Sequence, residues 1–122
     1  MNKKDIALSF LQLVASGKIR EAYDKYLRQD FRHHNAHFKG DRESLKGAME
    51  EAQQKHPNKI LNIKMALEDD DRVAVLSHVK QNPQDRGAGV VHIFRFDGNQ
   101  VVEMWDLGQP IPENMPNENG MF

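Results

Sequence analysis

Residues 90–110, "VVHIFRFDGNQVVEMWDLGQP", decide the fold. Two runs rich in Val, Ile and Phe or Trp flank Asp97–Gly98–Asn99, so the stretch reads as a β-hairpin. His92 on one arm and Asp106 on the other are polar residues in what should be core. A three-residue loop at Gly98–Asn99–Gln100 sets Asp97 against Val101 and His92 directly against Asp106. A three-residue loop centred on Gly98 keeps both on one face, with His92 facing Met104. A two-residue loop opposes His92 to Trp105 and splits the pair across the sheet. Asp-Gly-Asn is compatible with either loop length.

If the shared face is covered by helices, both groups are partly buried. Desolvation then raises a carboxyl pKa, and a nearby imidazolium lowers it again. Such a pair can hold a proton ready for transfer. The plainer reading is a cross-strand polar pair on the exposed face.

Upstream of the hairpin, "KILNIKMALE" alternates, placing Leu61, Ile63, Met65 and Leu67 on one face. Asp69–Asp70–Asp71 makes a turn, and "RVAVLSHVKQN" is a second strand ended by Asn82–Pro83. "AGVVHIFRF" and "QVVEMWDLG" are the third and fourth. From Gln109 onward, three prolines and three asparagines predict an extended arm over 109–122 and no strand. His78, mid-strand, either lines a cavity with His92 or sits half-exposed at an edge.

The first third is different. Ile6, Phe10 and Leu13 mark a helix over residues 3–16, ended at Gly17. Ile19, Ala22, Tyr23, Tyr26 and Leu27 mark a second, followed by a turn at "RQD" and the aperiodic "FRHHNAHFKG". Asp41 or Ser44 caps a third helix, which stops at His56–Pro57–Asn58. Helices followed by antiparallel hairpins predict an α+β domain over residues 1–122, a curved sheet of four strands wrapped around three N-terminal helices.

The chain has 122 residues, 39% hydrophobic and 29% charged, with a formal net charge of −1. No Lys/Arg run is present, so nucleic acid is not an expected partner. With no cysteine, disulfides, thiolate metal sites and cysteine nucleophiles are excluded. The apolar stretch near the N-terminus is too short for a signal peptide or a membrane span, making the cytoplasm the default location. There is no Gly-rich phosphate loop and no G-x-S-x-G elbow. "HHNAH" clusters His33, His34 and His37, but without an acidic neighbour, helical spacing or an HExxH pattern no metal is expected.

Four segments resemble the SnoaL-like polyketide cyclase family of the NTF2-like superfamily: "EAYDKYL" with "FRHHNAHFKGDRESL", "VAVLSHV", "VVHIFRFDGNQVVEMWDLGQPIP" and "NENGMF". The hairpin is the most specific, since the family usually reads close to D-x-F-R-x-x-x-G-K-I-x-E-H-W-D-x-x-Q. The resemblance implies an NTF2-like α+β cone with a deep pocket, commonly a homodimer through the outer sheet face. It implies ring closure by intramolecular aldol condensation on a carbonyl-containing small molecule, with no metal or cofactor. On this chain Asp106 matches the family's acid/base aspartate, and His92 falls where a partner residue is found. His34 and Asn35 match a His-Asn pair that could hydrogen-bond the substrate oxygen, with His33 a further substrate contact. His78 and Trp105 would line the pocket. The chain departs from the pattern at Met104, where a histidine is usual, at Ala36, often proline, and at His92, where aspartate is common. The rival readings are a non-catalytic binding protein with the same pocket, and an interaction module using Val79, Val91 and Ile93 on the sheet face.

Overall fold

The computed structural model describes residues 1–122. Helix α1, Lys3–Ala15, starts where the Asn2 side chain accepts a hydrogen bond from the Asp5 N–H. It buries Ile6, Ala7, Phe10 and Leu11, and Gly17 follows with φ of 88°, a left-handed conformation suited to glycine. Helix α2, Ile19–Tyr26, buries Ile19, Ala22, Tyr23 and Tyr26. Helix α3, Arg42–Lys55, is capped by Asp41, whose carboxylate accepts from the Ser44 N–H at 2.9 Å.

The sheet has five strands, not four: β1 (Leu27–His34), β2 (Ile60–Asp69), β3 (Arg72–Lys80), β4 (Ala88–Asp97) and β5 (Gln100–Pro110), in the order β1-β5-β4-β3-β2. It is curved and unclosed, and with the three helices it makes an NTF2-like α+β fold. The added strand spans "RQD" and the start of the aperiodic segment, and it pairs parallel to β5, so the sheet is not wholly antiparallel. It escapes a periodicity reading because only Leu27 and Phe31 are apolar on its buried side, where His33 also lies. Strand β5 continues through Gln109 and Pro110, opposite Gly89 and Ala88, so the arm starts two residues later than the composition suggests.

Two bulges set which residues face the helices. In β2 the register shifts between Ile63 and Met65. Leu61 and Ile63 therefore pack on the core while Met65 and Leu67 point outward, 49% and 65% exposed, and the four do not share a face. In β5 the shift falls between Val101 and Glu103, leaving Val102 as the extra residue. Ile6, Phe10, Tyr23, Phe31, Val73, Val75, Phe94 and Met104 are among the residues of the resulting core.

Candidate active site

The β4–β5 turn is the two-residue form: Asp97 pairs with Gln100 across Gly98 and Asn99, and Gly98 takes φ of 60°. Continued regularly, that register would oppose His92 to Trp105. Val102 is inserted after the Phe96–Val101 pair, so Arg95 meets Glu103 and His92 meets Asp106. Turn and bulge together place the pair on one face, by a route that neither loop length alone provides. That face is the helix-covered one, shared with buried Val75, Phe94 and Met104.

Parallel strand β1 brings the third group. His33, paired with Met104, turns inward, and its Nε2 lies 2.8 Å from Asp106 Oδ2. Just past the strand, the Asn35 side-chain amide donates to Asp106 Oδ1. Both oxygens of Asp106 are thus held, and its orientation is fixed by two elements. Burial pushes the Asp106 carboxyl up, but the His33 and Asn35 hydrogen bonds and the nearby imidazoles outweigh it, leaving the pKa below the ordinary carboxylate value. Asp106 is a carboxylate at neutral pH.

His92 behaves differently. Burial lowers its pKa to about 4, against an opposing pull from Asp106 and with a small further push from His33. It is neutral at pH 7. His92 keeps some accessible surface and lines a cavity, while its Nδ1 is sealed and without a partner; His33 Nδ1 is likewise unpartnered. Each unsatisfied buried nitrogen costs on the order of 1–3 kcal/mol.

The cavity measures about 60 Å³ and is walled by Phe10, Leu11, Val14, Tyr23, Leu45, Met49, His92, Met104 and Asp106. A cavity of that size admits only a few water molecules. The deep pocket implied by the resemblance is not open in this state. Val14 and Met49 are partly exposed, so the α1 and α3 side of the wall reaches the surface.

Three expected pocket residues lie elsewhere. His34 alternates with His33 and so points to the outer face, where its ring stacks on Trp105 at 5.0 Å and its Nε2 lies 2.6 Å from Glu103 Oε2. Trp105 pairs with Ile93, also on the outer face, and Arg72 sits over its ring. His78 is on the outer face because His92 pairs with Val75, which has the opposite parity. Its Nε2 lies 2.8 Å from the Arg86 carbonyl oxygen and its ring packs on Phe122. Glu103, only 8% exposed, accepts from Arg95 as well as contacting His34, and ties β1, β5 and β4 together. Val91 and Ile93 share this outer face, whereas Val79 has inward parity. The "HHNAH" histidines are split between the two faces and the loop, and no group of three or more His, Cys, Asp or Glu residues is arranged to hold a metal.

No protein-family model matches the chain, and no curated protein matches it. Solved structures do. An NTF2-like protein of unknown function from Cytophaga hutchinsonii superposes with a TM-score of 0.73 at 13% identity, over 90% of this chain and 92% of that one. IdmH from Streptomyces antibioticus, a candidate polyketide cyclase, gives 0.72 at 16% identity, over 89% and 93%. A candidate isomerase of the SnoaL-like family from Agrobacterium tumefaciens gives 0.68 at 11% identity, over 86% and 98%. At these identities the likeness establishes the NTF2-like fold.

Proposed function

We propose that the protein is a cofactor-independent acid/base enzyme acting on a carbonyl-containing apolar small molecule, in an aldol-type or isomerase-type step. The observation that carries this reading is the Asp106 carboxyl group, fixed by His33 and Asn35 at the wall of a mainly apolar cavity that His92 also lines. A polar cluster that leaves two imidazole nitrogens unsatisfied is a poor way to stabilise a core, and such local costs concentrate at functional sites. The solved SnoaL-like and candidate cyclase structures that share the fold point the same way.

Asp106 would remove a proton from the carbon beside a carbonyl. The C–H electrons form the C=C of an enolate, the carbonyl pair moves to oxygen, and the carboxylic acid returns the proton later. A carboxylate below its ordinary pKa is a weak base, so it suits a C–H acidified by two flanking carbonyls. Binding requires the wall at Val14 and Met49 to move, and methionine's flexible side chain suits that role.

Acetylacetone in D2O is a direct probe. The wild type should catalyse deuterium exchange at its central carbon, and Asp106→Asn should lose at least about 100-fold of that rate while staying folded. Undiminished exchange by the variant removes Asp106 from the mechanism. A second reading is a non-catalytic binding protein using the same cavity, in which a tightly held molecule is released unchanged. In either case the exposed apolar outer face, with Met65, Leu67 and Leu107, would be covered by a second copy of the chain.

A further inference from the structure

We infer that Tyr23 is a catalytic residue of this site, donating a hydrogen bond from its hydroxyl to the substrate's carbonyl oxygen as the enolate forms. The inference rests on the acid/base reading and adds the group that reading lacks. Removing a proton beside a carbonyl builds negative charge on oxygen, and a preorganised donor there provides much of the stabilisation. Asp106 carries no proton to offer, and His33 and Asn35 are engaged with it.

Tyr23 meets the requirements by position. It lines the same cavity as Asp106 and His92, on α2, and it is 1% exposed. The chain has two tyrosines, and they differ. Tyr26 closes its hydrogen-bonding within the core, its hydroxyl 2.8 Å from Ser9 Oγ. The Tyr23 hydroxyl makes no hydrogen bond within the protein, although buried tyrosine hydroxyls usually find one.

The ring is held in place. Phe10 packs on it at a centroid distance of 5.7 Å, and the Arg42 guanidinium lies 5.7 Å from the ring centroid. Arg42 is itself buried and donates to the Tyr23 carbonyl oxygen at 3.1 Å, so α3 locks α2 at this residue. A cation over the ring makes the phenol a stronger hydrogen-bond donor. Burial raises the Tyr23 pKa well above the ordinary phenol value, partly offset by Arg42 and reinforced by Asp106, so the hydroxyl keeps its proton. In the step proposed above, the Tyr23 proton stays on its oxygen and no net transfer from it is needed.

Tyr23→Phe tests this with the ring and its packing kept. With acetylacetone in D2O, the expected result is a loss of about 10- to 100-fold in kcat with KM little changed. A purely structural role would instead lower the melting temperature and leave kcat per folded molecule intact. Wild-type exchange that disappears in Asp106→Asn but persists fully in Tyr23→Phe overturns the assignment and leaves the acid/base reading standing. A second measurement needs no turnover. With tyrosine labelled at Cζ with carbon-13, adding acetylacetone should shift one of the two resonances, the one absent from Tyr23→Phe. No shift of that resonance at saturating probe overturns the inference.

Discussion

Because His92 is largely enclosed and neutral, it links the site to the pH dependence of folding. Its pKa is about 4 in the folded protein against an ordinary 6.5. The unfolded chain therefore binds a proton more readily, and stability falls as pH drops from 6.5 to 4, by about 3 kcal/mol over the window. Asp106 acts lower still. Its folded pKa lies below the ordinary carboxylate value, so its contribution is present above that value and is lost as pH falls through the folded one. Urea denaturation at several pH values should show the wild type losing more stability than His92→Gln between pH 6.5 and 4. Parallel curves for the two proteins would mean that His92 titrates freely. At this scale Asp106 and His92 stood out in the hairpin as candidates, but their pairing stayed open, because it turns on a loop length and a bulge that alternation does not mark. The contact between His33 and Asp106 was not legible, because it needs a parallel strand that the sequence disguises with polar residues.

At the scale of elements, two bulges decide which side chains enter the core, and alternation along a strand carries no mark of either. The β5 bulge makes an unusual prediction. Because Val102 is the extra residue in an otherwise two-residue hairpin, deleting it should leave His92 opposite Asp106 on a continuous ladder. The variant should fold, lose on the order of 2 kcal/mol from the missing buried valine, and retain acetylacetone exchange. A three-residue loop with a regular strand would behave oppositely, since the same deletion would throw Asp106 to the outer face. Loss of both exchange and fold on deleting Val102 would contradict the bulge. The same logic explains β2, where four apolar residues at alternate positions read as one face and are in fact divided by the shift at Lys64. The helices were more legible, since the cap at Asp41 and the stop at Gly17 depend on local chemistry.

Over the whole molecule, the sequence pattern of helices followed by hairpins sufficed for the fold class, while the closed cavity and the true faces of His34, His78 and Trp105 depend on packing between distant segments. The outer face carries Leu107 on β5 at 73% exposure, Met65 and Leu67 on β2, and the C-terminal Phe122 packed on His78. If two copies cover one another there, Leu107→Arg should convert a dimer to a monomer in light scattering, with the melting temperature of the monomer fold little changed. A wild type that is monomeric at high concentration would leave that face without the expected partner. The cavity on the other side makes a separate demand. Val14 and Met49 are partly exposed members of its wall, so a ligand would have to enter past them; no helix is long and apolar enough to cross a membrane.

The pH–rate profile of acetylacetone exchange tests the central claim most directly. If ionised Asp106 is the base, the enzymatic rate should be level between about pH 5 and 8, because the carboxylate is already fully formed there. Asp106→Asn should abolish that plateau. A rate that instead climbs through the ordinary histidine range, and survives in Asp106→Asn, would assign the base elsewhere and contradict the account.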